Sequence, residues 1–173
     1  ETDTAYDRDA ALAFLAETAE PYDVVIADLW MPDESGTRDT SSGLKILAAA
    51  READPPAETI IITGNSSADT ALRASLTGAR EYIVKPIDYE RLMSIVREIA
   101  RERTIVAPPS EPTEASSDTP IVGASLAMID VMKTLGRVAP TDTTVLIQGE
   151  SGSGKELIAK ALHANSLRKD GPF

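Results

Sequence analysis

Three short apolar runs, each followed by a stretch with helical periodicity, place the strongest constraint on the fold. The runs lie at 24–27, 60–62 and 82–84, and they are rich in β-branched residues. Runs of this length, bounded by polar residues, are typical of strands, and their alternation with helical patterns favours a parallel sheet. The sequence therefore predicts an α/β fold in which the run 24–27 is a central strand buried on both faces.

A polar residue with useful chemistry follows each run: Asp28, Thr63 and Lys85. The carboxyl ends of parallel strands form the ligand crevice of an open sheet. A carboxylate can attack as a nucleophile, a hydroxyl can donate a hydrogen bond, and an ammonium is a compact cation for a phosphate oxygen. For an isolated Asp at a strand end the alternative is a turn residue. Three such residues at the edge formed by the carboxyl ends of the strands, which we call the rim, favour a phosphoryl site.

The wider pattern around these residues carries a resemblance to a known family. It consists of Asp28, Met31, Pro32, Thr63, Lys85 and Pro86. In this order they resemble the receiver domain of two-component response regulators. The spacing from Thr63 to Lys85 fits that family, whereas the longer spacing from Asp28 to Thr63 indicates a polar insertion at 33–42. We interpret this insertion either as a mobile flap near the site or, in preference, as a solvated loop.

The resemblance implies a flavodoxin-like receiver over residues 1–103. Asp28 would accept the phosphoryl group from a sensor histidine kinase, Thr63 and Tyr82 would form a switch pair, and Lys85 would contact the phosphoryl oxygens. A cis peptide bond is common in the family at the step from Lys85 to Pro86.

Receivers begin with one more strand, which ends in an acidic pair that holds Mg²⁺, and this sequence has neither. We expect residues 1–5 to be the tail of a strand, the first strand of the sheet to be missing, and Asp28 to be the Mg²⁺ ligand that this chain supplies. The receiver is then N-terminally truncated, and we expect this piece alone not to be phosphorylated. A degenerate receiver is the alternative.

Candidate caps predict where the helices begin. They are Asp7, Ser42, either Asn65 or Ser66, Asp88 and Ser125. The helix after Asp88, at 89–103, has Leu92, Ile95, Val96 and Ile99 at helical spacing, and we expect this apolar face to pack on the sheet. The helix after Ser125 has Leu126, Ile129, Met132 and Leu135 in phase. Between these helices, the Pro-rich stretch 104–120 predicts an interdomain linker.

A phosphate loop follows in the second part of the chain. A predicted strand at 144–148 leads into Gly149, Glu150, Ser151, Gly152, Ser153, Gly154, Lys155 and Glu156, and a helical pattern comes next. This is a Walker A loop in its strand–loop–helix setting, where backbone N–H groups curl around phosphates and Lys155 reaches them. Glu156 stands where a Ser or Thr usually binds Mg²⁺, so a chance match is the alternative.

The loop and its neighbours resemble the AAA+ domain of sigma-54-dependent activators, the NtrC family. Glu is common in that family after the loop lysine, and the stretches 121–125, 137–142 and 171–173 resemble it too. The resemblance makes 121–173 the N-terminal part of that domain and implies ATP and Mg²⁺ as cofactors. The parent protein would be an ATPase. This piece lacks the Walker B acid, the sensor residues and the arginine finger, and we expect it to be inactive.

These resemblances together imply a two-component response regulator. Phosphorylation of Asp28 would control an ATP-binding module that activates sigma-54-dependent transcription. Its partners would be the kinase, the sigma-54 RNA polymerase holoenzyme and further copies of itself in a homodimer and a ring. The alternative is a phosphorylation-independent pseudo-receiver, which acts as an oligomerisation module and has a structural nucleotide loop.

Composition argues against several kinds of binding site and against a membrane span. The net charge of −11 argues against nucleic-acid binding by this piece, so DNA contact would need a C-terminal domain outside it. There is no cysteine for a disulfide or a thiolate metal site. No apolar run approaches the roughly 20 residues of a membrane span, so we expect a cytoplasmic protein. We interpret His163, the one histidine, as structural or exposed rather than catalytic.

Overall fold

The computed structural model describes residues 2–37, 39, 41–64, 67–103 and 125–173. Its elements, in chain order, are α1 (Arg8–Glu17), β1 (Val24–Asp28), α2 (Ser42–Glu52), β2 (Glu58–Thr63), α3 (Ala68–Leu76), β3 (Glu81–Val84), α4 (Tyr89–Arg103), α5 (Leu126–Val138) and α6 (Lys155–Ala164). The described residues fall into two compact units. The first contains 2–37, 39, 41–64 and 79–103, and the second contains 67–78 and 125–173.

The first unit contains a parallel sheet in the order β1-β2-β3, which confirms the predicted α/β class. β2 is the central strand of the described sheet, and Ile60 and Ile61 on it are fully buried. The prediction that β1 is central and buried on both faces is wrong, since β1 lies at the edge and Ile26 is 48% exposed. An edge strand has a neighbouring strand on one side only, so its side chains are less completely covered by neighbouring residues than those of the central strand β2. Residues 2–5 form no strand, contrary to expectation, because no described strand pairs with them.

Helix α4 packs its apolar face on the sheet, as its periodicity predicted. Leu92 and Ile99 join Ile60, Ile62 and Ile83 in one buried cluster, and Ile95 and Val96 pack against that cluster. Burying a large aliphatic side chain contributes about 1.5–3 kcal/mol. These contacts therefore fix the helix that follows Lys85 onto the strands that precede the candidate site.

Three of the predicted caps are confirmed. The side chain of Asp7 accepts a hydrogen bond from the Ala10 N–H at 2.7 Å, and that of Ser125 accepts one from Met128 at 3.2 Å. Asp88 accepts one from the Arg91 N–H at 3.0 Å. These contacts satisfy N–H groups that the first helical turn leaves without a partner.

Two caps differ from the prediction. Ser42 is not the cap of α2: it is the first helical residue and is buried, and Ser41 precedes it without a side-chain capping bond. α3 is capped by Ser67, which accepts from the Thr70 N–H at 3.1 Å. The predicted caps Asn65 and Ser66 lie outside the described residues, as does the linker 104–120.

The second unit is built around the packing of α3 against α5. Ile129, Met132 and Leu135 are buried as the helical phase predicted, whereas Leu126 is 67% exposed because it lies at the first position of α5. The predicted strand 144–148 is not formed, since no described strand pairs with it, and Leu146 is 80% exposed. Within the described residues, no helix has the length and apolarity needed to cross a membrane.

Candidate functional site

The carboxylate of Asp28 and the ammonium of Lys85 meet where β1 and β3 end. Lys85 Nζ lies 2.6 Å from Asp28 Oδ2, and the two side chains are 46% and 36% exposed, respectively. The other carboxylate oxygen, Oδ1, accepts a hydrogen bond from the Trp30 N–H at 3.0 Å. The site therefore presents an oriented carboxylate beside a cation and open to solvent. Such a pair suits the approach of an anionic group to a nucleophile.

Backbone hydrogen bonds continue beyond the ends of the strands and hold the chain in place at Asp28 and Lys85. The Leu29 N–H donates to the Ile62 carbonyl at 2.8 Å, and the Lys85 N–H donates to the Thr63 carbonyl at the same distance. The peptide bond from Lys85 to Pro86 is cis, as expected. The strand register thus brings together side chains that are 57 residues apart in the sequence.

Thr63 and Tyr82 form a second, buried pair. Thr63 is fully buried, Tyr82 is 3% exposed, and their hydroxyl groups are hydrogen-bonded. Burial raises the pKa of the Tyr82 phenol to about 12, and the hydrogen bond from Thr63 acts in the opposite direction. The two residues of the predicted switch pair are therefore in direct contact, and their role as a switch stays a prediction.

Gly43 brings the start of α2 against the chain that follows Asp28. Its N–H donates to the Leu29 carbonyl at 3.2 Å. A Cβ added at Gly43 would lie 2.6 Å from Leu29 Cα and 2.8 Å from the Asp28 carbonyl oxygen, so a larger residue does not fit. The sequence reasoning missed this residue, although a glycine at the start of a helical pattern is a signal of close backbone approach.

Residues 34–37 of the insertion at 33–42 form an exposed turn. The Asp33 carboxylate accepts from the Ser35 hydroxyl at 2.6 Å and from the Thr37 N–H at 2.9 Å, and these bonds lower its pKa. The Glu34 N–H donates to Asp9 on α1 at 2.9 Å. Of the two interpretations, the solvated loop matches these residues, whereas Arg38 and Thr40 lie outside the described part.

The metal-binding capacity of the site is limited. Within the described ranges, no group of three or more His, Asp or Glu side chains is placed to hold a metal ion. Mg²⁺ takes an octahedral set of oxygen ligands, often one or two carboxylates together with phosphate and water. The described residues thus supply one such ligand, Asp28, and not a full ligand set.

The predicted phosphate loop lies in the second unit. Gly152 and Gly154 have positive φ values of 79° and 84°, which side chains disfavour. Lys155 Nζ donates to the carbonyls of Gly149 at 3.0 Å and Glu150 at 2.5 Å, and the Ser153 hydroxyl donates to Glu150 at 2.8 Å. The predicted residues 149–156 therefore form a closed turn, with the lysine folded over its own loop.

Helix α6 begins at Lys155 without a side-chain cap, since Gly154 occupies the cap position. Its first N–H groups and its dipole therefore suit an anion. Glu156 is 76% exposed and pairs with Lys160 at 2.7 Å, a bond that lowers the pKa of Glu156. This pairing, which the sequence reasoning did not foresee, partly neutralises the acid beside the loop.

His163 makes contacts of a structural kind. Its Nε2 lies 3.2 Å from the Gly171 carbonyl oxygen, and its ring lies 5.4 Å from the ring of Phe173. The histidine thus holds the end of the described chain near α6.

Comparison with known proteins gives a family to each part of the chain. Residues 1–97 match the response regulator receiver domain. Residues 121–173 match the sigma-54 interaction domain. The first match covers more than half of the chain.

Two similar curated relatives are regulators. The DNA-binding transcriptional regulator NtrC of Azospirillum brasilense is 38% identical over 152 residues, which are 87% of this chain and 30% of the relative. The transcriptional regulatory protein ZraR of Salmonella typhimurium is 36% identical over 170 residues, 98% of this chain and 36% of the relative. The chain thus spans about a third of the length of these relatives.

Among solved structures, NtrX from Brucella abortus in complex with ATP is 35% identical. The match covers 100% of this chain and 36% of that one, with a TM-score of 0.46.

Proposed function

Since this chain belongs to the response regulators and joins a receiver domain to part of a sigma-54 interaction domain, we propose that it acts in a phosphorylation-controlled transcription regulator of the NtrC family. In this proposal a sensor histidine kinase phosphorylates Asp28. Phosphorylation then controls an ATP-binding module that activates sigma-54-dependent transcription. The observation that carries the proposal is the 2.6 Å contact between Asp28 and Lys85 at the strand ends.

The proposed reaction transfers a phosphoryl group to the Asp28 carboxylate. A carboxylate oxygen attacks phosphorus, a new O–P bond forms, and the P–N bond of the phosphohistidine breaks. The histidine nitrogen keeps the electron pair of that bond and takes up a proton. Lys85 offsets the negative charge that accumulates when two anions approach, and the Trp30 N–H holds the second carboxylate oxygen. Mg²⁺ belongs to the proposal with Asp28 as one ligand.

Thr63 and Tyr82 would relay the change. In the proposal the Thr63 hydroxyl exchanges its hydrogen bond with Tyr82 for one to a phosphoryl oxygen. That exchange costs one buried hydrogen bond and gains one to a charged acceptor, which is the stronger kind. It is supported by the burial of both residues and by their direct contact.

The loop at 149–156 would bind the phosphates of ATP. Lys155 would exchange the carbonyls of Gly149 and Glu150 for phosphate oxygens, and the loop would open as it did so. Hydrolysis of ATP, assembly into a homodimer and a ring, contact with the sigma-54 holoenzyme and a cytoplasmic location are proposed for the natural protein. Contact with DNA is proposed for a domain outside residues 1–173.

One observation favours a second candidate. Because the described residues supply a single metal ligand at the rim, a pseudo-receiver that pairs subunits without phosphorylation is the alternative. In that case the loop at 149–156 would be structural, and the contact between Lys85 and Asp28 would be a permanent ion pair.

The test is the intact mass of the natural protein after incubation with a small phosphodonor and Mg²⁺, beside an Asp28→Asn variant. We expect the natural protein to gain one phosphoryl group and the variant to gain none. No gain in the natural protein would contradict the proposal and favour the pseudo-receiver.

A further inference from the structure

Three hydrogen-bond donors meet at the backbone carbonyl of Glu150, inside the loop at 149–156. Lys155 Nζ lies 2.5 Å from this oxygen, the Ser153 hydroxyl 2.8 Å and the Ser153 N–H nitrogen 3.3 Å. A carbonyl oxygen has two lone pairs, so the three donors compete for it. The bond from Lys155 to Glu150 is therefore one that Ser153 can replace.

Glycine at position 149 leaves room for the Ser153 hydroxyl. A Cβ added at Gly149 would lie 2.8 Å from Ser153 Oγ, which is too close for two atoms that are not bonded to each other. A larger residue at 149 would therefore push the hydroxyl away from Glu150. The lack of a side chain at this position allows the contact between Ser153 and the Glu150 carbonyl.

The ammonium of Lys155 must leave its own loop before it can contact a phosphate group. In the structure it donates to the carbonyls of Gly149 and Glu150. Under the proposed function, on which this inference rests, phosphate oxygens of ATP take the place of these carbonyls. The free energy that ATP binding releases is then reduced by the cost of breaking the two bonds of the lysine.

Ser153 lowers that cost at one of the two carbonyls. When Lys155 leaves, the Glu150 carbonyl keeps the hydroxyl and the N–H of Ser153 as donors. Without the hydroxyl it would keep only the N–H at 3.3 Å, which is longer than a typical bond of this kind. Because the loop is exposed, water offsets part of the loss, and the effect of the hydroxyl is modest.

We propose that Ser153 is a positioning residue for Lys155. Its hydroxyl takes over the Glu150 carbonyl and so releases the lysine ammonium toward the polyphosphate of a nucleotide. In this role the hydroxyl acts through Lys155 and makes no contact with the nucleotide itself.

Acylation of Lys155 tests the release of the lysine without any nucleotide. The nucleotide-free natural protein and its Ser153→Ala and Ser153→Thr variants are treated briefly with an acetylating reagent, and peptide mass spectrometry follows modification of Lys155. We expect Ser153→Ala to slow this acylation about threefold, in keeping with the modest net strength of one hydrogen bond. Ser153→Thr keeps a hydroxyl and should keep the natural rate.

Two controls accompany this measurement. Lys160, on the same helix, is the internal reference, and its rate of acylation should be equal in all variants. Ser166→Ala is the matched variant, because the Ser166 hydroxyl also donates to a carbonyl three residues earlier, that of His163, at 2.9 Å. Equal rates at Lys155 in Ser153→Ala and Ser166→Ala would overturn the proposal.

Calorimetric titration with ATP then connects the release of the lysine to binding. We expect Ser153→Ala to weaken ATP binding about threefold, by the same hydrogen bond, and Ser153→Thr to restore it. Equal affinities in the natural protein and Ser153→Ala, or an equal loss in Ser153→Thr, would overturn the positioning role and leave the proposed function standing. No binding of ATP by the natural protein would overturn both.

Discussion

Two regions of this molecule are suited to phosphate groups, and they are built in different ways. The rim with Asp28 and Lys85 is assembled from the ends of β1 and β3, and a buried Thr63–Tyr82 pair lies beside it. The loop at 149–156 consists of eight consecutive residues, and its lysine bonds to carbonyls of the same loop. One site depends on strand register, whereas the other depends on local backbone conformation.

This difference teaches what each site requires from its surroundings. The rim exists because parallel pairing with β2 continues past Asp28 and Val84 into Leu29 and Lys85. The loop keeps its turn and its helix start although residues 144–148 form no strand. Substitutions that disturb the packing of the strands should therefore affect the rim. The loop at 149–156 should respond mainly to substitutions of its own residues.

The largest expected effect comes from exchanging the two lysines for alanine, one at a time. Lys155→Ala should weaken ATP binding by about 100-fold, because bonds from a charged donor to phosphate are strong. It should leave phosphorylation of Asp28 unchanged. Lys85→Ala should slow phosphorylation and leave ATP affinity unchanged. Calorimetric titration measures the ATP affinity of each variant, and intact mass after phosphodonor treatment measures its phosphorylation. A loss of ATP affinity in Lys85→Ala, or of phosphorylation in Lys155→Ala, would contradict the comparison.

The next effect is a loss of stability at high pH. The pKa of Tyr82 is raised to about 12 in the folded protein, from about 10 in an unfolded chain. The folded state thus favours the neutral phenol. The stabilisation of the folded protein by the neutral Tyr82 phenol is fully present below pH 10. As the pH rises from 10 toward 12, this stabilisation is lost and the free energy of unfolding falls by roughly 2–3 kcal/mol.

Urea unfolding between pH 9 and 12 checks this dependence against a Tyr82→Phe variant. The difference in unfolding free energy between the two proteins should change over that pH range. A constant difference would show that Tyr82 titrates normally and is not buried against Thr63.

A smaller effect is expected from packing at Gly43. Gly43→Ala should destabilise the first unit by about 1–3 kcal/mol, since the new Cβ meets backbone atoms of Leu29 and Asp28. Gly64→Ala is the matched control, because an added Cβ there has no heavy atom of the described residues within 4 Å apart from its chain neighbours. Thermal unfolding of both variants measures the difference, and equal stabilities would contradict the close approach of α2.

The smallest effect is expected at Lys160. Its pair with Glu156 is exposed on both sides, and such pairs contribute little. Lys160→Gln should change ATP affinity by less than about twofold, as surface pairs of this kind usually do. A loss comparable to that of Lys155→Ala would show that the pair belongs to the nucleotide site.

The predictions from sequence succeeded where a residue pattern is local. The three strands, the cap at Asp7, the apolar face of α4 and the helix that begins at Lys155 follow from spacing alone. The parallel pairing of the strands also followed, since alternating strands and helices favour a parallel sheet, whereas the central place predicted for β1 did not.

The failures concern contacts between elements. The exposure of Ile26 depends on which strands lie beside β1, and the strand at 144–148 needs a partner that periodicity does not supply. The role of Gly43 depends on backbone atoms brought close by packing. None of these distances is encoded in the order of residues along one element.

The most direct test of the central claim, that the two phosphate sites are separate and of different kinds, is one mass measurement on two variants. The natural protein carrying Lys155→Ala and that carrying Asp28→Asn are each incubated with a small phosphodonor and Mg²⁺. The account predicts one added phosphoryl group on Lys155→Ala and none on Asp28→Asn. A phosphoryl group on Asp28→Asn, or its absence from Lys155→Ala, would contradict it.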